Sequence, residues 1–351
     1  MIEKKIAVLS GDGIGPEVTA QALKVLKTIE KKFGYRFSYH SADVGAIAID
    51  HHGVPLPDST LQICLDSDAV LFGSIGHPKY DNDPSAKVRP EQGLLALRKG
   101  LGLYANIRPV KIYPSLIGHA PLRPELLKDV DMVIYRELTG GIYFGEKGRT
   151  ENDAYDHCTY SRVEVERIAK LAFQDAQRRR KKLTLVDKAN VLETSRLWRA
   201  VVQDMAKNYA DVTLDMMFVD NAAMQIIQYP AQFDVVLTEN MFGDIISDEA
   251  SVLSGSMGLL PSASIGAKTA LFEPIHGSYP QAAGKNIANP MAAILSGALL
   301  LDSFQLSEAA DLIRIAVNEA IKVGVVTVDL NKDKNYGCAE VGDWIVQFME
   351  Q

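Results

Sequence analysis

From Lys5 to Leu9 the chain carries a compact apolar run with β-branched content, and Gly-Asp-Gly-Ile-Gly-Pro follows at once. An amphipathic stretch then reaches Phe33 and stops at Gly34. Strand, glycine turn, helix with Pro16 in its first turn and a glycine stop make the repeating unit of an α/β fold. Further short apolar runs occur at Phe37 to Tyr39, Ala69 to Phe72, Tyr104 to Arg108, Met132 to Glu137, Leu183 to Val186, Thr213 to Val219, Val235 to Thr238 and Ala270 to Phe272. Long helical patterns cover Ser161 to Arg180 and Thr194 to Asn208. Short buried strands between helices predict a largely parallel sheet covered on both faces. The basic run Arg178 to Lys182 is expected to close a helix, solvating it and complementing its dipole. No internal repeat and no Pro/Gly/Ser-rich linker divides the chain, whose 351 residues suit roughly two domains of about 150 residues.

Charge and cysteine content narrow the function. A net charge of -7 supplies no basic field for a phosphate backbone, which disfavours nucleic acid as a partner. Cys64, Cys158 and Cys338 are scattered without a CxxC pair, so a disulfide framework and a thiolate metal site are both disfavoured and a reducing cytoplasm is expected. The apolar stretch after Met1 is too short for a signal-peptide core or a membrane span.

Gly11, Gly13 and Gly15 suggest a dinucleotide fingerprint, but Pro16 stands where that motif needs its last glycine. A tight strand-to-helix turn near a ligand is the better reading. Gly284-Lys285 lacks the companions of a phosphate-binding loop. Three arginines, Arg98 on a helical segment and Arg108 and Arg136 at strand ends, have the planar fork that binds carboxylates in pairs, and together they suit a di- or tricarboxylate. Asp244 and Asp248 lie four residues apart at a helix start, on one face, where two carboxylates repel unless a cation lies between them; Asp220 is a third candidate. Such hard oxygen donors favour magnesium or manganese. Lys188, just after a strand, is a candidate base if neighbouring cations disfavour its charged form. Tyr143 in TGGIYFGEKG is by itself a packing residue.

Taken in order, GDGIGPEV, NIRP, REL-TGG-IYFG, VDKANVL, NMFGDIISDEAS, EPIHGS and IANP resemble the isocitrate and isopropylmalate dehydrogenase family along essentially the whole chain. The resemblance implies a two-domain α/β fold of that family's kind rather than a Rossmann fold. A cofactor-side domain would comprise residues 1–103 and 255–351, and a central dimerisation and metal-binding domain residues 104–254, with the site in the cleft between them. It further implies a homodimer in which Arg98, Arg108 and Arg136 grip the malate-like carboxylates and Asp244 and Asp248 bind Mg2+ or Mn2+ with Asp220 arriving from the other subunit. Lys188, assisted across that interface by Asp220, would take the hydroxyl proton, and Tyr143 would help protonate the enolate.

For the substrate's distal group, Glu91, Leu94 and Leu95 resemble the isopropylmalate branch, where an apolar wall receives the isopropyl group and the glutamate lies near the nicotinamide. The expected reaction is therefore NAD-dependent oxidative decarboxylation of 3-isopropylmalate, a step of leucine biosynthesis. Tartrate, D-malate or homoisocitrate dehydrogenase is the alternative, followed by a non-catalytic regulatory subunit. Glu273, His276, Gly277, Ser278 and Asn289 match the family's cofactor loop. Gln281 departs from it, standing where NAD-dependent relatives carry an aspartate for the ribose hydroxyls; an amide still hydrogen-bonds hydroxyls and brings no positive charge for a 2'-phosphate.

Overall fold

The computed structural model describes residues 2–81, 87–333 and 335–351. The chain divides into two compact units, residues 1–103 with 256–351, and residues 104–255. Strands in chain order are β1 (Glu3–Gly11), β2 (Arg36–Ser41), β3 (Ala69–Ser74), β4 (Leu103–Lys111), β5 (Asp131–Glu137), β6 (Lys147–Arg149), β7 (Ala154–Asp156), β8 (Lys182–Asp187), β9 (Thr213–Phe218), β10 (Val235–Thr238), β11 (Pro261–Gly266) and β12 (Ala270–Pro274).

In the first unit the strands run in the order β2-β1-β3-β12-β11. β1 pairs parallel with β2 and β3, and β3 parallel with β12, whereas β11 and β12 form an antiparallel pair. Three residues join β11 to β12, and so short a link permits only an antiparallel return. Every residue of β3 is buried, as expected for a strand inside a covered sheet. The helix Gly15–Phe33 carries Pro16 in its first turn and ends on Gly34 at φ 70°, a left-handed cap that glycine adopts without a Cβ clash. Helix Met291–Ser303 is apolar on almost all sides and correspondingly enclosed, packed on β11, β12 and the helices Gly15–Phe33 and Ser307–Lys322.

In the second unit the order is β4-β5-β10-β8-β9. β4 and β5 are antiparallel, and the remaining neighbours are parallel. The core of this unit gathers Met132 and Ile134 of β5, Val186, Val236, Ala222, Ile226, Ile246 and Leu253. Helix Arg162–Arg178 begins with a capping box in which Ser161 and Glu164 satisfy each other's backbone N–H groups. β6 and β7 form a separate two-stranded hairpin.

The sheet is largely parallel, as expected, with one antiparallel pair in each unit. One expectation changes. The basic run does more than solvate a helix end: the helix stops at Arg178, and the next residues fold onto Asp234, which is 1% exposed. Arg179 Nε donates to Asp234 Oδ1 at 2.8 Å, the Arg180 backbone N–H to Asp234 Oδ2 at 2.9 Å, and Arg179 Nη2 to Asp131 Oδ1 at 2.6 Å. A buried carboxylate must be paired, so it draws in the arginines and ties the start of β8 to the loop before β10 and the start of β5.

Candidate active site

The second unit builds its polar centre at strand ends. Arg136 occupies the same end of β5 that Thr238 occupies on β10, and helix Asn240–Ser251 begins directly beyond. Glu239 caps that helix, its carboxylate accepting from the Phe242 N–H at 3.3 Å. At Gly243 a Cβ would lie 2.6 Å from Arg136 Cγ, so glycine there lets the buried arginine side chain pass against the helix.

Arg136 is 5% exposed, and its guanidinium is fully directed. Nε and Nη2 donate to Asn240 Oδ1 at 3.1 and 2.9 Å, and Nη1 pairs with Asp244 Oδ1. Arg108 on β4 donates through Nε to Asn106 Oδ1 at 2.7 Å, and through Nη1 to Ser247 Oγ at 2.7 Å and Asp248 Oδ1 at 2.9 Å. The Tyr143 hydroxyl donates to Asp244 Oδ2 at 3.0 Å. Partial burial, then the neighbouring Asp244 charge, raise the Tyr143 pKa above the ordinary phenol value, so its proton is retained. One helix face thus presents Asp244 and Asp248 to two arginines and a phenol.

Lys188 follows β8 on a turn held from within. Asp187, 2% exposed, accepts from the Ala189 N–H at 2.9 Å and from Arg199 Nε at 2.6 Å, and the Lys188 N–H donates to Ser195 Oγ at 3.0 Å. Lys188 Nζ meets Asp220 Oδ1 at 2.6 Å, and that hydrogen bond is the main cause of a lowered Asp220 pKa. The pair forms within one chain, because β8 and β9 are adjacent and Asp220 opens the helix after β9. Among the described residues, Asp220, Asp244 and Asp248 do not bring their oxygens together within one chain.

The first unit holds a cavity of about 410 Å³ lined by Ile14, His276, Gly277, Tyr279, Asn289 and Asp329 among others, a size suited to a cofactor. The glycine turn closes onto its loop: the Ile14 N–H donates to the Ser278 carbonyl at 2.8 Å, and a Cβ on Gly13, at φ 58°, would lie 2.0 Å from that oxygen. His276 Nε2 is enclosed without a hydrogen-bond partner, and the enclosure pushes the imidazole pKa below its ordinary value. A neutral imidazole with an unmet nitrogen is suited to a ligand that brings the missing partner. Of the other anticipated cofactor residues, Glu273 and Ser278 are buried, Gln281 is exposed, and these three do not line the cavity.

Arg98 and Glu273, anticipated for different tasks, are bonded to each other: Arg98 Nη2 donates to Glu273 Oε1 at 2.9 Å, with both side chains largely buried. On the same helix, Pro90–Gly100, Glu91 and Leu95 are exposed and Leu94 is half-buried. Sequence reasoning missed Asp329, which lines the cavity and accepts from Ser256 Oγ at 2.5 Å, Thr327 Oγ1 at 2.5 Å and Asn289 Nδ2 at 3.1 Å. Its only signal was an acid following an apolar run. Asn106, Asn240 and Ser247, which direct the two arginines, were also missed, although each lies inside a motif that had been noticed.

Residues 5–345 match the family model described as isocitrate/isopropylmalate dehydrogenase. The chain is 55% identical over 349 residues to a 3-isopropylmalate dehydrogenase of Bacteroides fragilis, covering 99% of both chains, and 55% identical over 333 residues to that of Geobacillus kaustophilus, covering 93% of this chain and 90% of the other. Its fold is similar to the crystal structure of isocitrate dehydrogenase from Methylococcus capsulatus, with a TM-score of 0.88, 37% identity and coverage of 99% and 100%. It is also similar to a β-decarboxylating dehydrogenase from Thermococcus kodakarensis, with a TM-score of 0.82, 37% identity and coverage of 99% and 96%. The chain belongs to the isocitrate/isopropylmalate dehydrogenase family.

Proposed function

We propose that this protein catalyses the NAD-dependent oxidative decarboxylation of (2R,3S)-3-isopropylmalate to 4-methyl-2-oxopentanoate and CO2, a step of leucine biosynthesis. The observation that carries the reading is the 55% identity to 3-isopropylmalate dehydrogenases along nearly the whole chain, joined to a site of two directed arginines facing two carboxylates and a phenol.

Arg108 and Arg136 bind the malate-like carboxylates by exchanging part of their present bonds to Asp248 and Asp244, while Asn106 and Asn240 keep each guanidinium plane oriented. Arg98, fixed by Glu273, is the third carboxylate ligand. Leu94 and Leu95 supply an apolar wall for the isopropyl group and Glu91 lies toward the nicotinamide, a pocket that separates close 2-hydroxy diacids by about 1–3 kcal/mol per methylene.

Asp244 and Asp248 fit a hard divalent cation. Both are partly exposed carboxylates one helical turn apart, each now paired with an arginine, and such hard oxygen donors would hold Mg2+ or Mn2+. Mg2+ or Mn2+ held there, with Asp220 from a second copy of the chain, would acidify the substrate hydroxyl and stabilise charge on that oxygen after CO2 is lost. Lys188 of that second copy, paired with the same Asp220, receives the hydroxyl proton as hydride leaves for NAD. Tyr143, protonated and held by Asp244, returns a proton to carbon.

Support for self-association comes from Met224 and Ile227 on the helix Val219–Gln228 and Ile245 and Val252 on or just beyond the helix Asn240–Ser251. All four are about half exposed, an apolar surface that a homodimer would cover. NAD is preferred over NADP because Asp329 places a negative charge in the cavity wall, where it suits ribose hydroxyls and repels a 2'-phosphate. No helix among the described residues is long and apolar enough to cross a membrane, and the three cysteines are free, which supports a cytoplasmic enzyme.

The deciding experiment follows cofactor reduction by the purified protein with 3-isopropylmalate, D-malate and isocitrate, with NAD or NADP, in magnesium or a chelator. Magnesium-dependent NAD reduction favouring 3-isopropylmalate is expected. Preference for another acid would overturn the substrate, and no reduction with any acid would overturn the enzyme reading.

A further inference from the structure

Outside this site, one group of side chains in the first unit is arranged as metal ligands are. Helix Ala46–His52 ends in two adjacent histidines, capped by Gly53 at φ 76°. Neighbours on a helix project about 100° apart, yet both rings reach Asp43. His51 Nδ1 lies 2.8 Å from Asp43 Oδ2, and His52 Nε2 lies 3.3 Å from that same oxygen. The ring centroids are 6.0 Å apart and the planes are nearly perpendicular, at 84°. One histidine uses its near nitrogen and the other its far one, so the difference in reach offsets the angular separation. All three ligand atoms fall within 4.8 Å of one another, the one group of this kind among the described residues.

We propose that Asp43, His51 and His52 bind a borderline divalent transition-metal ion, zinc above all, at a second site chemically unlike the carboxylate pair Asp244 and Asp248. Two imidazoles and a carboxylate are the donor set that zinc, nickel and copper take in preference to magnesium. At Zn–N and Zn–O distances of about 2.0–2.1 Å, tetrahedral ligand atoms lie roughly 3.3 Å apart. The His52 separation already has that value, and the His51 separation needs to open by about half an ångström, within the freedom of a side chain at a helix end. The convergence of both rings on one oxygen gathers the three donor atoms about a single point, an arrangement compatible with one ion bound between them. Three protein ligands leave the fourth position to water.

The ion would clip the start of the segment 43–52 to its end. That segment is tied to the glycine turn: the Asp12 carboxylate accepts from the N–H groups of Ala46 at 2.9 Å, Ile47 at 3.2 Å and Gly76 at 3.0 Å, and the Gly45 N–H donates to the Pro55 carbonyl at 2.8 Å. Occupancy therefore stiffens the support of the turn Gly11–Gly13 without touching the proposed reacting groups.

The test titrates the full-length protein with Zn2+ at pH 7.5 in excess Mg2+, which keeps the all-oxygen site occupied, and follows zinc by a competing chromophoric chelator and by zinc-edge X-ray absorption. One tightly bound equivalent with two imidazole ligands is expected. In the double variant His51→Gln, His52→Gln that equivalent should weaken at least 100-fold, with magnesium-dependent turnover unchanged. These rings are about half exposed, so the variant should fold, and its unfolding temperature without zinc checks this. Zinc should raise the unfolding temperature of the native protein and not of the variant. Equal zinc binding by the two proteins, an absorption spectrum without imidazole, or no tight equivalent at all would each overturn the proposal.

Discussion

Replacing Glu239 with glutamine should make the protein more stable at alkaline pH and leave it nearly unchanged at pH 4.5. Glu239 caps the helix that carries Asp244 and Asp248 and is 6% exposed. Burial, then the charge of Glu137, push its pKa up from 4.5 to about 7, against the lowering effect of hydrogen bonds from Phe242, Tyr160 and Cys158. A folded-state pKa above the unfolded one means that folding favours the protonated acid. The group's contribution is then fully present below about pH 4.5, erodes between 4.5 and 7 and is lost above. At about 1.4 kcal/mol per pH unit, the difference between 4.5 and 7 amounts to about 3 kcal/mol. Glutamine keeps an acceptor for the Phe242 N–H and cannot ionise. The variant's advantage should therefore grow from near zero at pH 4.5 to about 3 kcal/mol at pH 8. With roughly 2.1 cal/mol/K of unfolding entropy per residue over 351 residues, that corresponds to about 4 °C. Paired thermal and urea unfolding curves at several pH values, without added metal, measure it. A stability gap of the same size at pH 5 and pH 8 would assign the effect to packing and rule out ionisation of Glu239 as its source.

Lys188→Met should lower turnover by about 10²–10⁴-fold while cofactor binding, read by fluorescence titration, persists; near-normal turnover would remove Lys188 as the base. Asp248→Asn should raise the magnesium concentration for half-maximal activity by about tenfold or more, and an unchanged requirement would take Asp248 out of the metal site. Asp329→Asn should raise the NAD KM by about tenfold, the worth of one hydrogen bond to a charged group, and narrow the gap to NADP; identical cofactor constants would show that Asp329 does not meet the ribose. Asp234→Asn leaves Arg179 short of a buried partner, and since that arginine is partly exposed the cost should fall near 2–3 kcal/mol, measured by urea unfolding and contradicted by a change under about 0.5 kcal/mol.

Much of this protein is written locally. Lys5 to Leu9, the glycine turn, Pro16 and Gly34 specify a strand, a turn and a helix because a few adjacent residues decide each of them: side-chain period, a fixed proline φ, a positive φ that glycine tolerates. The pair Asp244 and Asp248 was legible for the same reason, since four residues on a helix is one turn. Ordered motifs along the whole chain pointed to the family for a different reason, their joint specificity.

What lies far apart in sequence was decided by the fold. Arg98 and Glu273, 175 positions apart, carry no mark that they bond each other. Asp329 reads as an ordinary acid until it lines the cavity beside Asn289. Asp234 turns a run of basic residues from a solvated helix end into the lock on three strand starts. The physical reason is common to all three: a carboxylate held in a folded chain takes hydrogen-bond donors, charged or neutral, within about 3 Å, and which ones it finds depends on where the sheet brings strand and helix ends together. Periodicity and capping determine the elements residue by residue, but only the packed structure determines which distant charges meet.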